Sequence, residues 1–122
     1  MADIPRRVQI GQIRYTILSD DESWLTFEHS RQNKGLLGST NADEATIHIK
    51  PGLAPDVTRL TLMHELIHAV IESTMGNPDP ASFTGDTPDD RNELMVLAFE
   101  HPMLALVADN PDVMAFLSRR EG

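Results

Sequence analysis

Residues 64–68 read His64-Glu65-Leu66-Ile67-His68, and this pattern restricts the local backbone more than any other stretch of the chain. Two histidines four apart come close together only on an α-helix. There they stand ~6 Å apart along the axis on one face, and their imidazoles can converge on one zinc ion. The glutamate beside the first histidine can reach a water at that ion and take its proton. A working site then needs a third protein ligand from another element and an open position.

The segments around the motif fit a helix. Ala54-Pro55-Asp56, Thr87-Pro88-Asp89 and Asn110-Pro111-Asp112 repeat one start signal. Proline at the first helical position loses no needed hydrogen bond, and aspartate in the first turn suits the helix dipole. This predicts helices over 55–75, 88–101 and 111–120, a helical continuation over 102–109 after a break at Pro102, and a loop over 76–87. On a helical wheel His68 lies ~40° from His64. Leu60, Met63, Ile67, Val70 and Ile71 flank the pair on one side, which predicts the core stripe. Thr61, Glu65 and Glu72 flank it on the other, which predicts a cleft-facing stripe.

Before Pro51 the patterning is that of strands. Val8, Ile10, Ile13, Tyr15 and Ile17 alternate with polar residues, and Gly11 shifts the phase, so 7–18 reads as one bent strand or two short ones. Residues 24–28 read as a further strand. Residues 39–44 are turn-rich, and 45–50 alternate again as the second strand of a hairpin. Strands first and helices after give an α+β fold with an antiparallel or mixed sheet.

The third ligand must come from another element. Glu72 lies ~12 Å along the same axis from His64 and cannot share an ion with it. The stretch from Glu93 to Glu100 is apolar almost all round, which predicts a buried helix, and a carboxylate in such a helix must be paired, metal-bound or at the rim. Glu93 lies well inside that helix, Glu100 stands near the expected break, and His101 is an outside candidate. His48 reads as a solvent-facing strand residue, Tyr15 and Trp24 as packing residues, and His29 as exposed.

The rest of the 122 residues narrows the function classes. There is no cysteine, so disulfides, thiolate-bound metals and a thiol nucleophile are excluded. The formal net charge is -9, which argues against a nucleic-acid binder, since phosphate neutralisation needs clustered Lys and Arg. No apolar run approaches the ~20 residues of a membrane span, and the start has no apolar signal region. The length suits one domain over 1–122, expected to be cytoplasmic.

The stretch GLLGSTNADEATIHIKPGLAPDVTRLTLMHELIHAVIE resembles the small zincin-like metallopeptidases of phages, prophages and bacteria related to the ImmA/IrrE family. Ile47-His48-Ile49 matches that family's strand, and Thr61-Leu62-Met63-His64-Glu65-Leu66-Ile67-His68-Ala69 matches its motif helix. The likeness covers about 35–75 well and about 88–118 loosely. It implies a minimal zincin-like fold, with His64 and His68 as zinc ligands, Glu65 as general base and Glu93 as third ligand. It further implies that an edge strand, here 45–50, lies beside the cleft and accepts an extended peptide. Two departures stand out: the chain shows no DNA-binding helix-turn-helix, and Leu94-Met95-Val96 replaces the alanine-asparagine stretch near the family's third ligand. The expected function is a zinc-dependent metallopeptidase acting on a protein or peptide. The alternative is a zinc-binding interaction or regulatory protein of that fold, phage-encoded, with little or no turnover.

Overall fold

The alternating segment 7–18 folds as two strands, β1 (Arg7–Ile10) and β2 (Ile13–Leu18). Gly11 turns the chain between them with φ 58°, a left-handed conformation that costs glycine little. The structure is a computed structural model that describes residues 4–31, 36–74 and 87–119. After β2 come α1 (Asp21–Arg31), β3 (Gly38–Asn41), β4 (Thr46–Ile49), α2 (Pro55–Thr74), α3 (Pro88–Asp109) and α4 (Pro111–Leu117). The loop expected at 76–87 lies, except for Thr87, outside the described residues.

The four strands form one mixed sheet in the order β1-β2-β4-β3. The β1–β2 and β3–β4 pairs are antiparallel, and β2 runs parallel to β4 with Ile17 opposite Ile47. Parallel neighbours need a long crossover, and here it carries α1 and β3. The chain is therefore α+β, as expected, and a hairpin forms with its second strand where expected, but its first strand, β3, takes up residues 39–41 of the stretch expected as turn. The edge strands, however, are β1 and β3. The 45–50 segment expected at the edge is β4, which lies inside the sheet with a neighbour on each side.

Residues 24–28 are helical, not a strand. Asp20 accepts a hydrogen bond from the Ser23 N–H at 3.0 Å, and Asp21 and Glu22 occupy the first turn of α1. That end is favourable for a helix. Trp24 and Phe27, three apart, are both buried, and their ring centroids lie 5.1 Å apart. A strand would have sent them to opposite faces.

Val8, Ile10, Tyr15 and Ile17 point to the same side of the sheet as Ile47 and Ile49, and α2 lays Leu62, Leu66, Ala69 and Val70 against them. Burying each such leucine stabilises the fold by about 2 kcal/mol. The expected facing of the motif helix thus holds at Val70 but fails at Leu60 and Ile67. Leu60 and Ile67 are 71% and 40% exposed, whereas Thr61 and Glu65, expected to look into a cleft, are 7% and 6% exposed. A broad apolar wheel has two possible core directions, and the sheet takes the arc centred on Leu62 and Leu66.

No break occurs at Pro102, which lies inside a continuous α3. The lost backbone bond is offset by packing on both sides of it, since Phe99, Met103 and Leu106 all contact the core. Thr87 caps this helix, its hydroxyl accepting from the Asp90 N–H at 3.1 Å. Asn110 stands at the start of α4, but its side chain makes no cap bond there. Among the described residues no helix is long and apolar enough to cross a membrane.

Candidate metal centre

The helical spacing of His64 and His68 brings their rings together on the exposed side of α2. The ring centroids are 4.8 Å apart with planes at 71°, and the two Nε2 atoms are 3.2 Å apart. Two nitrogens each bonded to one tetrahedral zinc at ~2.0 Å stand ~3.3 Å apart. The pair therefore fits two positions of a zinc coordination sphere. The His64 side chain is 66% exposed, so the outer side of the pair is open to solvent.

Glu65 turns the other way, toward the sheet. Its Oε2 lies 4.0 Å from His64 Nε2. Its Oε1 accepts a hydrogen bond from the Thr40 hydroxyl at 2.8 Å. The same hydroxyl lies 3.0 Å from the Glu65 main-chain oxygen. A nearly buried carboxylate is thus anchored on one oxygen beside an exposed imidazole pair.

Gly38 makes this approach of β3 to α2 possible. A Cβ on that residue would stand 3.0 Å from the His48 main-chain oxygen, 3.0 Å from Thr61 Cγ2 and 3.2 Å from Glu65 Cγ. Any side chain there would hold the strand off the helix. With glycine, Thr40 two residues on reaches Glu65. Among the described strands β3 pairs only with β4, and the face carrying Gly38 and Thr40 packs against the motif helix.

Glu93 is not brought to the histidines in this arrangement. It lies in the first half of α3, where residues 88–97 are all exposed. The expectation of a buried helix there is incorrect: Leu94, Met95, Val96 and Leu97 are each more than two-fifths exposed. The helix reaches the core only further along, through Phe99, Met103 and Leu106. Glu100 and His101 are exposed as well, with 3.8 Å between His101 Nε2 and Glu100 Oε1. Among the described residues no group of three or more His, Asp or Glu stands together as a metal site.

The remaining sequence candidates are packing or surface residues. Tyr15 is fully buried and its hydroxyl is hydrogen-bonded to Ser73 Oγ. Trp24 is buried, and His29 is exposed. His48 is half-buried, not solvent-facing as expected. Its ring stacks on Phe27 of α1 at 4.9 Å, on the face of β4 opposite Ile47 and Ile49, away from the motif helix. Thr40 is the site residue that sequence reasoning missed. It stands 25 residues from Glu65, and no spacing rule connects a strand threonine to a helix glutamate.

Compared with protein-family models, with curated proteins and with solved structures, the chain matches none.

Proposed function

We propose that the protein is a zinc-dependent metallopeptidase of minimal zincin-like fold. The observation that carries the reading is the 3.2 Å approach of His64 and His68 Nε2 with the Glu65 carboxylate beside them. His64 and His68 would hold the ion; Glu93, which this arrangement does not bring to them, is the third ligand that the family resemblance implies. Zinc bound there supplies Lewis-acid polarisation of a carbonyl and makes water acidic enough to lose a proton near neutral pH. Glu65 Oε2 would be the general base, taking a proton from the attacking water and returning it to the departing amine. Among the described residues β3 has no strand on its outer side, which supports a peptide substrate, since an extended chain can add to such an edge through main-chain hydrogen bonds.

A second reading is a zinc-binding interaction protein with little or no turnover. Two observations favour it: only two ligands gather among the described residues, and Leu60 and Ile67 are exposed on the motif helix.

The deciding experiment is elemental analysis of the purified protein, followed by a peptide-library digest with and without chelator. The expected result is bound zinc and chelator-sensitive cleavage, with Glu65→Gln retaining the metal but cleaving nothing. Zinc without cleavage would favour the second reading, and wild-type protein unable to bind zinc would remove both.

A further inference from the structure

We infer that Thr40 is a positioning residue that divides the two oxygens of Glu65 between an anchoring task and a chemical one. The inference rests on the reading of Glu65 as base.

The Thr40 hydroxyl carries one proton and has two acceptors in reach, Glu65 Oε1 at 2.8 Å and the Glu65 main-chain oxygen at 3.0 Å. In mid-helix that main-chain oxygen already receives the N–H four residues on. In the carboxylate form that a base must have, Oε1 is also the stronger acceptor, because a charged partner shortens and strengthens the bond. The proton therefore goes to Oε1. Oε2 is left as the oxygen on the histidine side, 4.0 Å from His64 Nε2.

This matters because the terminal torsion of glutamate is soft and roughly two-fold. Without an anchor the carboxylate can swap its oxygens and swing across the site. The anchor itself is stiff. Thr40 is β-branched, with a restricted χ1. Its strand position is set by pairing with Ile47, which is fully buried. The Gly38 approach holds β3 against α2 one turn of pleat away. The Thr40 hydroxyl thus acts through Glu65.

The test uses the full chain with three substitutions. Thr40→Val keeps the shape and strand preference without the hydroxyl, Thr40→Ser keeps the hydroxyl, and Thr40→Ala replaces valine should valine not be accommodated. In protein labelled with 13C at glutamate carboxyls, at one neutral pH and without metal, the Glu65 resonance is identified by its loss in Glu65→Gln. It should be displaced in Thr40→Val and restored in Thr40→Ser. With zinc bound, Thr40→Val should keep the wild-type zinc content. On the peptide that the wild type cleaves, its kcat should fall about 10–100-fold with little change in KM, and Thr40→Ser should recover most of it. An unmoved resonance, an undiminished kcat, or serine no better than valine would overturn the inference. If the wild type cleaves no peptide, the peptidase reading fails, while the carboxyl resonance still decides whether Thr40 orients Glu65.

Discussion

Asn110 binds both main-chain groups of Gln9 across 101 residues: its Oδ1 accepts from the Gln9 N–H at 2.7 Å and its Nδ2 donates to the Gln9 carbonyl at 2.8 Å. Nδ2 also lies 2.9 Å from the Leu106 carbonyl. One buried amide thus closes the outer edge of β1 as a neighbouring strand would, and ties the α3–α4 junction to it. Asn110→Ala should destabilise the fold by about 2–4 kcal/mol, since it strands several polar groups away from water. Asn110→Asp should also be costly, because a carboxylate cannot donate to the two carbonyls. Urea unfolding of the three proteins checks this.

Gly38→Ala should lower stability by about 1–3 kcal/mol. Two of the atoms its Cβ would meet belong to the His48 backbone and to the branched Thr61, which have little freedom to move. A melting temperature equal to wild type would mean that β3 is less tightly held against α2 than described.

Zinc should stabilise the native state. Binding to the folded form alone adds ~4 kcal/mol at a thousandfold excess over Kd. Chelator should lower the melting temperature of wild type and barely move that of a His64→Ala, His68→Ala double variant. The gain should fade in acid, because a protonated imidazole cannot ligate. Equal chelator sensitivity in both proteins would place any metal elsewhere.

Zinc affinity of Glu93→Ala, Glu100→Ala and His101→Ala, measured side by side, tests the third ligand. Loss of a ligand leaves too few for a tight zinc site, so Glu93→Ala should weaken binding strongly and the other two should not. Wild-type affinity in all three would remove α3 as the source.

Asp20 should make α1 sensitive to acid. Hydrogen bonds from the Ser23 side chain and then from its main chain hold the carboxyl below its ordinary value of 3.8. A group with a lowered folded pKa contributes stability above the unfolded pKa, and that stability is lost as pH falls through the folded one. The stability difference between wild type and Asp20→Asn should therefore be present near neutral pH and shrink below about pH 4. A difference that stays constant into acid would show that the charge of Asp20 is not what holds the cap.

What the chain determines locally could be read from it directly. Proline at the first turn marks where α2, α3 and α4 begin, the phase shift at Gly11 marks the β1–β2 turn, and the spacing of His64 and His68 brings two imidazoles together because helical geometry alone does so. Tertiary packing decided the rest. Which side of α2 meets the sheet depended on where Ile47 and Ile49 lie, since its apolar residues surround most of the wheel. Residues 24–28 are helical because Trp24 and Phe27 bury together against the sheet and Asp20 caps the start. Which strands form the edges depended on the crossover that places β4 between β2 and β3. The hold of Thr40 on Glu65 and of Asn110 on Gln9 join residues 25 and 101 apart, and a hydrogen bond at such separation exists only once the sheet and helices have fixed both partners in space.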